Sequence, residues 1–184
     1  DVVTNGSKTT LNIEQIKLEN ISFRFPGQKL LLDKINLTVE KGKLVSLVGE
    51  SGCGKSTLAN IILRFYSSES GKIILNSKKD SDEIDLKIWR KKIGIIPQEI
   101  HIFNGTILQN LLTELTESKI KEMISTISVF GLSSFIDGFP SGLMTLVGEE
   151  GINLSGGQKQ LLAFIRVLIN KPDILVIDEG TSNM

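Results

Sequence analysis

The sequence predicts an α/β fold with a mostly parallel sheet, an antiparallel β subdomain near its start and an inserted α-helical subdomain. Three observations predict it. Residues 16–39 largely alternate apolar and polar side chains, which is typical of half-buried strands. Residues 44–48 and 174–177 are short apolar runs, which is typical of strands buried on both faces. Between residues 99 and 165 the apolar spacing is mostly helical, and strands separated by helices favour a parallel sheet.

Residues 1–15 are mostly polar and lack periodicity, so they are interpreted as a linker or terminus. Pro26-Gly27 predicts a turn between the first two strands. The strands are predicted at residues 16–25, 30–39, 44–48, 72–75, 93–96 and 174–177. The helices are predicted at residues 56–66, 107–115, 118–130 and 157–170.

Composition excludes several classes of protein. The 184 residues suit one domain, with 21 basic side chains against 21 acidic ones. A balanced charge argues against a nucleic-acid binder, which needs clustered, uncompensated Lys and Arg. The single cysteine excludes an internal disulfide framework and fits a reducing compartment. No apolar run approaches the roughly 18 residues that cross a bilayer.

A glycine-rich loop at residues 49–56, GESGCGKS, fits the pattern G-x-x-x-x-G-K-[ST]. Its glycines allow successive backbone N–H groups to face one anion, and the following helix adds its partial positive end. Lys55 would reach the β- and γ-phosphates, and the Ser56 hydroxyl would bind Mg²⁺. Cys53 is interpreted as a small side chain in a variable position. The residues predicted to contact the nucleotide are Gly49, Ser51, Gly52, Cys53, Gly54, Lys55, Ser56 and Thr57.

Two carboxylates, Asp178 and Glu179, follow the apolar run at residues 174–177. Downstream of a phosphate loop, the first is placed to hold Mg²⁺, commonly through water. Glu179 is placed to orient or deprotonate an attacking water molecule. The pair therefore predicts the metal-binding and catalytic part of the same nucleotide site.

A second glycine motif, LSGGQ at residues 154–158, precedes a strongly periodic helix. Ser155 is a plausible N-cap, and the two glycines leave backbone N–H groups open to an anion. The motif is either a well-capped loop or a second clamp on the same nucleotide.

With these motifs, the sequence resembles the ATP-binding domain of ATP-binding-cassette (ABC) transporters, which has a P-loop NTPase core. LSGGQ is the signature that sets this family apart from other P-loop ATPases. The resemblance covers residues 16–184, with a core at 16–98 and 166–184 and a helical subdomain at about 99–165. It implies a head-to-tail dimer, with each ATP between the phosphate loop of one copy and the signature loop of the other. The signature residues implied to bind ATP in trans are Ser155, Gly156, Gly157 and Gln158.

The resemblance also assigns single residues. Gln98, after the strand at residues 93–96, is implied to lie near Mg²⁺ and the γ-phosphate. Phe25 is implied to stack on adenine, with Phe23 as a partial alternative. His101 does not match the family's switch histidine and is interpreted as a surface or subdomain residue. The implied catalytic residues are Glu179, Gln98 and Lys55, and the implied Mg²⁺ ligands are Ser56, Gln98 and Asp178.

Two segments resemble exporters in particular, at residues 103–107 and 145–149. The resemblance implies an ATPase that powers efflux at the cytoplasmic face of a membrane. A membrane domain, expected in the same parent chain, would be contacted through residues 98–107 and 145–149, with Glu149 as a contact. The closing residues 178–183 resemble exporters of peptides, including bacteriocins.

Two other functions remain open. A soluble ATPase of the same superfamily would act on DNA or ribosomes, but the chain has no heptad repeats and no basic excess. An ATP-binding module without turnover is the second alternative, because the family's domain is longer than this chain. The sequence is therefore interpreted as a C-terminally truncated fragment with little hydrolysis of its own.

Overall fold

The structure is a computed structural model that describes residues 12–178. The chain divides into two compact units, with the boundary between Ile93 and Gly94. No helix among the described residues is both long and apolar enough to cross a membrane. Most of the predicted linker lies outside the described residues. Glu179 also lies outside them.

The first unit contains an antiparallel sheet, as the alternating pattern predicted. Its strands are β1 (Gln15–Phe23), β2 (Leu32–Glu40), β3 (Ser70–Leu75) and β4 (Lys79–Asp80), in the order β2-β1-β3-β4. Residue Leu18 of β1 pairs with Leu37 on one side and Ile73 on the other. Two helices complete the unit, α1 (Lys55–Ile62) and α2 (Leu86–Lys92).

A close approach between β1 and β3 depends on one glycine. Gly71 has a φ of +89°, and a β-carbon there would lie 2.4 Å from the carbonyl oxygens of Glu19 and Asn20. No side chain fits at that distance, so glycine alone allows β3 to pass the irregularity in β1.

Among its described residues, the second unit contains two small sheets and four α-helices, and its first strand begins at Ile93, the last residue of the first unit. Strands β5 (Ile93–Ile96) and β8 (Ile174–Ile177) form a parallel pair, and β6 (Gly105–Thr106) pairs antiparallel with β7 (Leu146–Val147). The helices are α3 (Ile107–Leu111), α4 (Glu117–Val129), α5 (Ser133–Asp137) and α6 (Gly156–Ile169). Their core includes the fully buried side chains of Ile107, Met123, Leu162 and Ile165.

The predicted strand at residues 44–48 was wrong. No strand is formed there, and Leu44 and Val48 are 95% and 93% exposed. A parallel strand gains its hydrogen bonds only from distant segments of the chain, so apolar composition alone does not secure it. The strand β8 has the predicted bounds, but Leu175 and Ile177 are exposed, since a two-stranded sheet covers its side chains incompletely.

Two predicted helices end earlier than expected. Helix α1 stops at Ile62, where the indole Nε1 of Trp89 donates a hydrogen bond to the Ile62 carbonyl at 2.9 Å. Arg64 then takes a left-handed φ of +55°, which a helix does not continue through. Helix α3 stops at Leu111, because Leu112 is already extended. Tertiary contacts and local backbone geometry therefore override the apolar spacing at both ends.

Candidate functional site

The phosphate loop at residues 49–54 leads into α1 with two glycines in left-handed conformations. Gly52 has a φ of +81° and Gly54, the N-cap of α1, has a φ of +100°. A β-carbon on Gly54 would lie 2.7 Å from Leu32 Cδ2, so both the backbone angle and the space require glycine. Placing the helix N-terminus against the loop in this way directs backbone N–H groups to the site of an anion.

The Lys55 ammonium is held at this loop by the backbone itself. Its Nζ donates hydrogen bonds to the carbonyl oxygens of Gly49 and Glu50, each at 2.8 Å. The first turn of α1 carries no acidic side chain, so its positive end is not compensated within the helix. The exposed Cys53 thiol lies 3.8 Å from Lys55 Nζ. The loop thus presents a cation and a helix N-terminus together, which suits a polyphosphate.

Three aromatic rings form a cluster in the same unit. The ring of Phe25 meets Phe23 edge to face at 5.0 Å and Tyr66 at 5.7 Å, while Phe23 and Tyr66 stack at 5.6 Å. Phe23 is buried, so it does not offer a face to a base; Phe25 is half-buried, and Tyr66 is exposed. Tyr66 carries no sequence signal for a role in this cluster, because it falls at the end of the helix predicted at residues 56–66.

The signature loop forms a complete capping box at the start of α6. The Ser155 hydroxyl oxygen accepts a hydrogen bond from the Gln158 N–H at 3.3 Å, and Gln158 Oε1 accepts one from the Ser155 N–H at 2.9 Å. A β-carbon on Gly156 or Gly157 would meet no heavy atom within 4 Å, so space lies open in front of these residues. The first turn again lacks an acidic side chain. The predicted well-capped loop is therefore present, and the second clamp on the nucleotide stays a prediction.

Gln98 and Asp178 lie at the ends of neighbouring strands in the second unit. Gln98 is exposed and follows β5, and Asp178 follows β8. The Asp178 N–H donates a hydrogen bond to the Ile96 carbonyl at 3.0 Å, which brings the two strand ends side by side. The carboxyl ends of parallel strands are where α/β proteins bind ligands. Among the described residues, no group of three or more His, Cys, Asp or Glu side chains could hold a metal.

The two segments that resemble exporters pair as a two-stranded antiparallel sheet. Strands β6 and β7 pair Gly105 with Val147, and the Ile107 N–H donates to the Thr145 carbonyl at 3.0 Å. The Glu149 N–H donates to Asn104 Oδ1 at 2.6 Å. We call residues 103–107 and 145–149 the paired segments. Asn104 was missed by the sequence analysis, because nothing in the pattern shows that its amide joins them.

The paired segments expose apolar side chains beside a surface cavity of about 480 Å³. Phe103 is 69% exposed and Leu146 58%. The cavity is lined by Phe103, Asn104, Gln109, Asn110, Leu112, Thr113 and Leu115. His101, as predicted, is a surface residue.

Replacing Gly148 with alanine is expected to destabilise the protein by about 1–3 kcal/mol. Gly148 has a φ of +102°, and a β-carbon there would lie 2.3 Å from Asn104 Oδ1, so the substitution also displaces the amide that joins the paired segments. The measurement is the midpoint of thermal unfolding.

Gly142→Ala is the matched control for the Gly148 substitution. Gly142 also has a positive φ, +51°, but nothing lies within 4 Å of its β-carbon. Its loss should therefore be smaller and reflect backbone strain alone. Equal losses for the two variants would show that the Asn104 contact contributes nothing.

The chain is similar to known proteins of one family. A family model described as "ABC transporter" matches residues 32–182. The chain is 41% identical over 179 residues to P-glycoprotein 14 of Caenorhabditis elegans, covering 96% of this chain and 13% of that protein. It is 39% identical over 170 residues to the ATP-dependent lipid A-core flippase of Aromatoleum aromaticum, covering 91% and 28%. The chain thus spans less than a third of the length of these relatives.

A solved structure agrees with the fold. The structure of a bacterial Atm1-family ABC exporter with ATP bound superposes with a TM-score of 0.83 at 32% sequence identity. The match covers 100% of this chain and 32% of the exporter chain. The iron-sulfur clusters transporter ATM1 of Candida albicans is 39% identical over 168 residues, which are 91% of this chain and 22% of that protein.

Proposed function

The chain belongs to the ABC transporter family, and from this premise we propose that it is the ATP-hydrolysing motor domain of an exporter. One observation carries the proposal: among the described residues, α1 and α6 both begin at glycine-rich loops and have no acidic side chain in their first turns. One such end suits any P-loop protein, whereas two suit an ATP bound between two copies. The reaction is ATP and water to ADP and phosphate.

The phosphates bind at the loop before α1. Backbone N–H groups of residues 49–57 and the Lys55 ammonium neutralise the β- and γ-phosphates. Ser56, Gln98 and Asp178 supply hydroxyl, amide and carboxylate oxygens, a donor set that fits Mg²⁺. This ion keeps several waters and needs few protein ligands beside the phosphates, so a dedicated acidic cluster is not required. When bound, Mg²⁺ neutralises charge on the phosphate oxygens.

Adenine stacks on Phe25. The half-buried ring is held by edge contacts to Phe23 and Tyr66, so its orientation is set before ATP arrives. A fixed aromatic face binds a base with little loss of side-chain entropy.

Replacing Phe25 with alanine is expected to weaken ATP binding by about five- to a hundredfold, the range of one base–aromatic stack. Calorimetric titration with ATP and with inorganic tripolyphosphate measures it. Tripolyphosphate affinity should stay unchanged, since that ligand has no base.

Phe25→Tyr is the conservative control, because it keeps the ring and should keep the affinity for ATP. An equal loss of ATP and tripolyphosphate binding in Phe25→Ala would instead assign Phe25 a structural role.

Hydrolysis is proposed to require a second copy of the domain. The Ser155 hydroxyl accepts from the Gln158 N–H and keeps its own proton to donate to a γ-phosphate held by the other copy. The residues offered in trans are Ser155, Gly156, Gly157 and Gln158. Glu179 acts as the general base toward water, and Gln98 orients the same region. Donors fixed in advance around the developing charge lower the barrier.

A membrane domain is the proposed partner of the paired segments. These segments expose Phe103 and Leu146, and Phe103 also lines a cavity, which suits contact with an apolar helix end. The domain would then work at the cytoplasmic face of the membrane. The exposed apolar side chains of the paired segments favour an exporter domain over a soluble ATPase. A peptide cargo stays a proposal that depends on the closing residues, which lie mostly outside the described part.

Hydrolysis of MgATP by the purified full-length protein, and its loss in Lys55→Ala, test the proposed function together. A full-length protein that binds ATP without releasing phosphate would favour a binding module. A protein that binds no ATP would overturn the proposal.

A further inference from the structure

Arg166 lies near the end of α6 and binds three oxygens on other segments. Its Nε donates to the Asn110 carbonyl at 2.6 Å, its Nη1 to the His101 carbonyl at 2.8 Å and its Nη2 to Asn110 Oδ1 at 2.8 Å. The guanidinium carbon also lies 5.9 Å from the centre of the Phe103 ring. One side chain of α6 therefore holds both the loop after Gln98 and helix α3.

The second member of this network is the buried side chain of Asn110. Its Oδ1 accepts from the Phe103 N–H at 2.9 Å, and its Nδ2 donates to the carbonyls of Phe103 at 2.8 Å and Thr106 at 3.1 Å. Both backbone groups of Phe103 are thus held by Asn110, which is held in turn by Arg166. Phe103 and Thr106 belong to the paired segments.

The Arg166 side chain is partly buried. This burial lowers the pKa of its guanidinium from the ordinary value, yet arginine remains charged at neutral pH. A partly desolvated guanidinium needs oxygen partners in a fixed geometry, and here the fork of Arg166 meets them on two segments. A lysine offers one point of charge and does not span the same three oxygens.

We propose that Arg166 is a positioning residue, which fixes the paired segments onto the helix whose other end is the signature loop. The inference rests on the proposed function. Displacement of the paired segments by a membrane domain is then passed through Asn110 and Arg166 to α6 and so to Ser155. Arg166 is outside both loops that are proposed to bind ATP, so it acts through other residues.

Arg166→Lys in the full-length protein tests the proposal. We expect kcat for MgATP to fall by about three- to thirtyfold, the range of coupling substitutions, with KM within about twofold of wild type. The ATP-binding residues of the phosphate loop are unchanged, so KM is spared. Hydrogen exchange of the Phe103 amide should also quicken, because its acceptor on Asn110 is no longer held.

Asn110→Leu keeps a side chain of similar volume but removes the amide that accepts a hydrogen bond from Arg166. It should reproduce the fall in kcat. The double variant should then lose little more, because both substitutions break one network. Asn170→Ala is the matched control: it removes a hydrogen bond from Asn170 Nδ2 to the Arg166 carbonyl at the same helix end, and kcat should be kept.

Three results overturn the proposal. They are an unchanged kcat in Arg166→Lys, a parallel rise in KM, or an equal loss in Asn170→Ala, which would show general destabilisation of α6. Wild-type protein that hydrolyses no ATP is a different result, because it overturns the proposed function. The exchange rate of the Phe103 amide still tests the positioning network in that case.

Discussion

Replacing Lys55 with alanine is expected to abolish measurable ATP hydrolysis by the full-length protein and to weaken ATP binding at least about tenfold. A hydrogen bond to a charged group contributes about 1.5–3 kcal/mol, which corresponds to a tenfold to hundredfold change in affinity. The loss is larger in the transition state, where charge develops on the γ-phosphoryl oxygens. The substitution also removes both bonds that tie the ammonium to Gly49 and Glu50.

Two measurements separate these effects. Calorimetric titration with ATP gives the affinity, and phosphate release gives turnover. Cys53→Ala is the control within the same loop, because it keeps the backbone N–H and the two carbonyl contacts of Lys55, and removes an exposed thiol with one long contact to Lys55. It should bind ATP as the wild type does. Undiminished ATP affinity in Lys55→Ala would contradict the assignment of the loop.

Local signals made the backbone of the phosphate loop and of the signature loop predictable. The phosphate loop needs glycines at φ values that other residues avoid, and Gly52 and Gly54 have such values. The capping box of α6 needs Ser155 and Gln158 three positions apart, and the sequence has them. The antiparallel start of the chain needs only alternation and a nearby turn, so its strands were found within a few residues.

Non-local packing decided what the sequence analysis missed. The apolar run at residues 44–48 predicted a buried strand, but pairing depends on remote segments that composition does not specify. Asn104, Asn110 and Arg166 are ordinary polar residues in the sequence. The pairing of β6 with β7 places Asn104 to accept from the Glu149 N–H, and the packing of α3 places Asn110 to accept from Arg166 of α6. Side-chain networks of this kind carry no spacing signal.

Replacing Glu179 with glutamine is expected to lower kcat by about a hundredfold or more while ATP affinity is kept. Glu179 follows Asp178 directly, and its carboxylate is the proposed acceptor of a proton from water. Glutamine has nearly the same shape but accepts no proton at neutral pH, so the site should close on ATP without cleaving it. The measurement is retention of labelled ATP by the full-length protein after gel filtration, together with phosphate release.

Asp178→Asn separates the base from the metal ligand. Asp178 follows β8 beside the end of β5. Its proposed role is to bind Mg²⁺ rather than to accept a proton. Its substitution should therefore raise the Mg²⁺ concentration needed for half-maximal activity, whereas Glu179→Gln should leave that concentration unchanged. If Glu179→Gln hydrolyses ATP at the wild-type rate, proton transfer belongs to another group. If both variants raise the required Mg²⁺ concentration equally, both carboxylates bind the metal. The assignment of Mg²⁺ binding to Asp178 alone would then be wrong.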